Sequence, residues 1–132
     1  MGGASGPLYG TALIEAGLVA GSEPALEWPL IGRMLEAAAV GLARRGRCRI
    51  GDKTILDTLQ PAADAFVAAD TPRDALRTMF MAGWGGMRST RPLVARRGLA
   101  LRLGPRSEGH LDPGAVSCFI LLAAIVPSRG EA

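Results

Sequence analysis

A glycine-rich turn that runs straight into a helix is a physical anion site, because unpaired backbone amides and the helix dipole converge on one point. Gly2, Gly3, Ala4, Ser5 and Gly6, followed by Pro7, have that form. Gly2 and Gly3 would let a phosphate approach the main chain, and Ser5 adds a hydroxyl donor. On residue types alone an ordinary glycine-rich turn is the commoner meaning, and without a Gly-Lys-Ser/Thr sequence the segment is not a P-loop. Arg44, Arg45, Arg47 and Arg49 suit either a phosphate or ribose contact or a solvated basic loop, and the pattern favours the loop. Asp52 fits a helix N-cap; Asp57, falling nearly opposite it on a helix, does not pair with it by spacing. His110 is the only histidine, which excludes a multi-histidine metal site and leaves a loop acid or base, or a plain surface residue. Ser107 and Ser117 have no base positioned by spacing, so no catalytic residue is assigned. Met79, Met81 and Trp84 read as core filler rather than as a ligand set.

These residues need elements to position them, and the apolar periodicity is helical throughout. A first stripe runs through Leu8, Leu13, Ile14, Gly17 and Leu18 to Gly21, with Pro7 in its first turn. A second runs from Leu26 to Leu42 and stops at Gly46, with Arg44 and Arg45 where cations favour a helix C-terminus. A third, capped by Asp52, carries Ile55, Leu56, Leu59, Ala62, Phe66 and Val67 and is expected to bend at Pro61. A fourth begins at Thr71-Pro72, is weakened by Gly83, Gly85 and Gly86, and is expected to restart over Leu93 to Arg97. Gly98 to Gly109 reads as a long surface loop. Asp112 caps and Pro113 opens a last helix to about Pro127, apolar nearly all round and so expected to be buried. The count is about five helices, no strand and no internal repeat.

The chain has 132 residues, 48% of them hydrophobic but only 5% aromatic, so one domain of close-packed helices is expected, with an all-α fold. The domain covers residues 1–127 and leaves 128–132 as a tail. A net charge of +3 with no aromatics among the clustered arginines gives no case for nucleic acid. Cys48 and Cys118 are too few and too dissimilar in setting for a disulfide framework or a metal site, which fits a reducing cytoplasm. The longest apolar run, Ala115 to Val126, is about half of what a membrane span needs, and the N-terminus lacks the pattern of a secretory signal. No membrane association is expected.

Three segments together carry more than any one of them: GGASGPLYGT at Gly2 to Thr11, GDKTILDTLQPA at Gly51 to Ala62, and GHLDPGAVS at Gly109 to Ser117. In order and spacing they resemble the nucleotide-binding domain of dihydroxyacetone kinases, found as the L subunit of the phosphotransferase-system enzyme or as the C-terminal domain of the ATP-dependent one. The likeness covers nearly the whole chain, and LVARRG at Leu93 to Gly98 and LGPRSEGH at Leu103 to His110 also look like the family's loop.

The resemblance implies an up-and-down antiparallel helical barrel, here incomplete, with about five to six helices. It also implies ADP or ATP bound at one end through magnesium ions, with phosphoryl transfer to dihydroxyacetone held on a partner subunit or domain. By this resemblance Gly2, Gly3, Ala4 and Ser5 meet phosphate, Gly46 and Ile55 line the nucleotide pocket, and Asp112, Pro113 and Gly114 close over it. A phosphotransferase-system phosphoprotein is a further implied partner. The family's magnesium ligands form an Asp-x4-Asp-x-Asp segment upstream of the glycine-rich turn, which this sequence does not contain, so no metal ligand is assigned. The expectation is therefore a chain lacking the family's N-terminal helices, with an uncovered apolar face and doubtful activity by itself. Leu99 stands where the family usually has an arginine, Arg102 replaces an aromatic and Pro105 a glutamate. The alternative that follows is a degenerate, non-catalytic interaction module or a remnant.

Overall fold

In a computed structural model of the chain, residues 5–96 and 105–126 are described. Five helices occur among them, with no strand: α1 (Ser5–Ala20), α2 (Trp28–Gly46), α3 (Leu56–Ala68), α4 (Pro72–Ser89) and α5 (Pro113–Ala123). The all-α expectation holds. Each helix packs on the next in sequence, and α3 also packs on α5, so α3 touches α2, α4 and α5.

The core is built from small residues and a few long ones. Ala39, Ala62, Ala63, Ala75 and Ala115 are fully buried, as is Leu42, with Ile55, Leu56, Leu59, Phe66, Met79, Cys118 and Leu122 filling between them. Alanine is the best helix former and holds helix axes close, which suits a chain so poor in aromatics.

Helix starts follow local chemistry at two places. Thr71 is extended (φ −135°) and its side chain accepts from the Asp74 amide at 3.1 Å, with Pro72 at the first helical position. Asp112 caps α5 in the same way, accepting from the Ala115 amide at 2.8 Å, ahead of Pro113.

Several expectations are corrected. Asp52 does not cap the third helix: α3 begins at Leu56, Ile55 stands at the cap position, and no side chain caps it. The Asp52 carboxylate instead accepts from the Arg49 amide at 3.1 Å. Helix α4 runs unbroken through Gly83, Gly85 and Gly86, and residues 94–96 have no helical structure. The reason is packing: a Cβ on Gly86 would lie 2.1 Å from the Asp57 carbonyl oxygen, so its absence lets α4 lie against α3. Gly41 does the same for α1 and α2, where a Cβ would meet Glu15 Cγ at 2.5 Å.

Beyond Leu8, which packs against the core, the first stripe faces outward. Ala12 is the buried residue of α1, while Leu13, Ile14 and Leu18 are 73%, 64% and 71% exposed. In α5, Ile120 and Leu121 are more than half exposed, so that helix is buried on one side only. Met79 is buried as expected, but Met81 is exposed, and Trp84 packs edge-on to Phe119 at a centroid distance of 5.4 Å on the α4–α5 surface.

Candidate functional site

The segment between α2 and α3 is folded around one buried carboxylate. Asp57 Oδ1 accepts from the Gly51 amide at 2.7 Å and Oδ2 from the Thr54 amide at 2.8 Å, while Thr54 Oγ1 accepts from the Leu56 amide at 3.1 Å. Gly51 (φ 100°) and Lys53 (φ 65°) supply the left-handed backbone that lets the chain wrap the carboxylate. The same turn sends Lys53 inward, where it is 1% exposed. Its Nζ donates to the Leu93 carbonyl at 2.9 Å and to the Ser107 carbonyl.

The entry to α5 is fixed from three sides. The Asp112 amide donates to Thr90 Oγ1 at 3.0 Å, and Thr90 donates to the Met87 carbonyl at 2.7 Å, which ties the entry to the end of α4. Thr58 Oγ1 donates to the Ala115 carbonyl at 2.8 Å, which ties it to α3. Gly114 lies against Ile55, since a Cβ there would stand 2.8 Å from Ile55 Cγ1 and 3.0 Å from Asp112 Oδ2. Only glycine lets these two segments touch. Tyr9 and Ser117 share a hydrogen bond of 2.7 Å, which brings in the first turns of α1.

The start of α1 also meets the end of α2. A Cβ on Gly46 would lie 3.1 Å from Leu8 Cδ2 and 3.2 Å from Cys48 Sγ. The beginnings of α1, α3 and α5 and the ends of α2 and α4 therefore share one end of the bundle. Of the residues singled out by sequence, Ile55, Asp112, Pro113 and Gly114 come together directly, and Gly46 sits beside the first turns of α1, which Ser5 opens. Gly2, Gly3 and Ala4 lie outside the described residues, as do Arg97, Leu99 and Arg102.

At this end a cleft of about 810 Å³ is lined by Arg47, Cys48, Arg49, Asp52, Val94, Ala95 and Arg96. Arginines from two separate segments face it, so its electrostatics suit an anion. Of the basic run, Arg47 and Arg49 thus reach a cleft rather than open solvent alone. His110 is exposed, with its amide donating to the Ser107 carbonyl at 3.4 Å.

Burial dominates the electrostatics of the ionisable groups here. It raises the Asp112 carboxyl above the ordinary value; the Ala115 amide opposes that shift, nearby Asp57 adds to it and Lys53 again opposes it. Burial lowers Lys53, with Asp112 and Glu108 acting in the opposite sense. The Tyr9 hydroxyl is raised by burial against the effect of its bond to Ser117.

The site does not fit a divalent cation held by this chain's described residues. Asp52, Asp57 and Asp112 each already accept from backbone amides, and among the described residues no group of three or more acidic, histidine or cysteine side chains could hold a metal ion.

Sequence reasoning passed over Lys53, Asp57, Thr90, Ser107 and Arg96 as contributors to this end. A signal existed for the first two: the chain's lone lysine, two residues after a glycine, in a short segment closed by aspartate. Arg96 and Ser107 fall in the segments that resemble the family's loop, but the contacts they make, like those of Thr90, join residues distant in the chain and carry no local signal.

An all-helical domain with an anion-suited end is the class that fold and site define. The chain matches the DAK2 domain over residues 1–127, and it belongs to that family. It is 36% identical to the ADP-binding subunit DhaL of PEP-dependent dihydroxyacetone kinase 2 from Listeria innocua, over 100% of this chain and 62% of that one. It is 33% identical to the corresponding ADP-binding subunit DhaL of Escherichia coli, over 99% of this chain and 64% of the relative. L-Erythrulose 1-kinase of Mycolicibacterium smegmatis is 35% identical over 94% of this chain and 22% of its own length. The chain thus spans about three fifths of the length of the ADP-binding subunits it matches.

Proposed function

We propose that this chain is the nucleotide-binding part of a dihydroxyacetone kinase, taking ADP or ATP at the end of the bundle where α1, α3 and α5 begin. The observation that carries the reading is convergence: the Ile55–Gly114 contact and the Gly46–Leu8 contact lie at the same end as the arginine-lined cleft. Names of relatives add support, since those of which this chain covers the largest share describe ADP-binding subunits.

In this proposal Gly2, Gly3, Ala4 and Ser5 offer amides and a hydroxyl to phosphate at the start of α1. Gly46 and Ile55 face the nucleoside, and the Asp112-Pro113-Gly114 turn covers it. The five helices form part of an up-and-down barrel, and the domain is residues 1–127. Dihydroxyacetone sits on a partner subunit or domain, and a phosphotransferase-system phosphoprotein is the phosphoryl donor where ATP is not. The site of action is the cytoplasm.

Magnesium would neutralise phosphate charge during transfer; Asp52, Asp57 and Asp112 at this end already accept from backbone amides, so in this reading its ligands come from another segment or chain. What the residues present can do is bind the nucleotide, orient it and shield it from water. The same engagement of Asp52, Asp57 and Asp112 favours a second reading, an interaction module of this family that transfers no phosphate.

Calorimetric titration of the 132-residue chain with ADP, with and without magnesium, separates the two. Helical content is first checked by circular dichroism. Saturable binding supports the nucleotide reading; a folded helical chain that takes up no heat-detectable ADP at millimolar concentration overturns it and leaves the interaction module.

A further inference from the structure

Lys53 is the chain's only lysine, and it is buried in a left-handed backbone conformation. Both features are unfavourable: the left-handed backbone crowds an L side chain, and an ammonium group loses its hydration. No carboxylate lies within ion-pair distance of it among the described residues. Its partners are instead two backbone carbonyls, Leu93 and Ser107, near the two ends of the α4–α5 connection. An apolar side chain of equal length would fill the space but would leave both carbonyls without this donor.

Neighbouring contacts act in the same direction. The Asp52 carbonyl accepts from the Arg96 amide at 3.0 Å, so two successive residues fasten the connection. Ser107 Oγ accepts from the Ala95 amide at 2.8 Å, and the Gly109 amide donates to the Arg91 carbonyl at 2.7 Å, closing the connection on itself. The turn that carries Lys53 is held by Asp57, and the connection ends at Asp112, over Ile55.

We propose that Lys53 is a positioning residue: its ammonium holds both ends of the α4–α5 connection against the entry of α3. It thereby sets where Asp112, Pro113 and Gly114 stand over Ile55. The consequence for ligand binding rests on the nucleotide reading above; the positioning itself does not.

Because there is one lysine, labelling with 15Nζ-lysine yields a single side-chain signal from the unaltered chain. A positioned ammonium gives a protected resonance and resists acetylation by an N-hydroxysuccinimide ester that modifies the α-amino group. An ammonium exchanging and acetylating as freely as an exposed lysine overturns the proposal. In K53M, amides of Ala95, Gly109 and Asp112 should exchange roughly tenfold faster or more, while amides within α2 keep their protection. Unchanged exchange at those three amides also overturns it.

Magnesium–ADP titration then separates positioning from general stability. K53M should lose roughly tenfold in affinity at a temperature where it is fully helical, while M79A, a core truncation between α3 and α4, should lower Tm and leave affinity unchanged. Equal affinity losses in the two variants overturn the positioning role. Absence of ADP binding by the unaltered chain would overturn the nucleotide reading instead, and the lysine signal and amide exchange would still decide the role of Lys53.

Discussion

Asp112 caps a helix with a carboxylate that its surroundings disfavour in the ionised form. Burial raises its pKa, the Asp57 carboxylate raises it further, and the Ala115 amide and Lys53 oppose them. With a folded-state value above the unfolded one, the folded chain holds its proton over the window between the two values. The stability this contributes is fully present below the unfolded pKa and is lost as pH rises through the folded one. Asparagine at this position keeps an oxygen for the Ala115 amide but does not titrate. We expect D112N to remove a decline in stability that the unaltered chain shows as pH rises above the ordinary carboxylate range. Urea denaturation of both proteins across that range checks it, and parallel curves would contradict the assignment.

Among the helices, α4 owes its course to glycines that read in the sequence as weaknesses. Gly86 sits at the crossing with α3, where a Cβ would overlap the Asp57 carbonyl, whereas Gly85 faces solvent with nothing within 4 Å. One added methyl group should therefore have opposite effects at adjacent positions. G86A should destabilise by about 1–3 kcal/mol or more, since backbone must shift, and G85A should stabilise by about 0.5–1 kcal/mol through helix propensity and a less flexible unfolded chain. Thermal denaturation reads both. Because Asp57 organises the turn bearing Lys53, G86A should also quicken amide exchange at Gly51 and Thr54, which it does not touch.

At the scale of the molecule, the bundle is uneven. One end gathers the α2–α3 and α4–α5 connections with the buried ionisable groups Asp52, Lys53, Asp57 and Asp112, while large apolar side chains turn outward: Leu13, Ile14 and Leu18 from α1, Ile120 and Leu121 from α5, and Ile125 just beyond it. Exposed apolar area of this kind favours association. The chain by itself should bind a hydrophobic dye and self-associate as concentration rises. The pair of substitutions L13E and L18E should suppress both with helical content retained, measured by dye fluorescence, light scattering and circular dichroism. Since both residues are well exposed, the substitutions remove no core contact; a monomeric, dye-silent parent chain would contradict the argument.

Local chemistry along the chain determined much of this protein. Helical periodicity and low aromatic content specified an all-α fold, Thr71-Pro72 and Asp112-Pro113 marked two helix starts, and three short segments in order marked the family. Such signals are legible because capping and helix propensity act between residues a few positions apart. Only the tertiary structure decided which face of each helix is buried, because a stripe such as Leu13, Ile14 and Leu18 says that a partner surface is favourable but not that one is there. It alone decided the role of Gly86, Lys53 and Asp57, whose effects depend on atoms brought near by packing. Asp52 and Asp57 show the limit most plainly: both are aspartates at a helix entry, and only the fold of the turn between them determines which carboxylate holds it together.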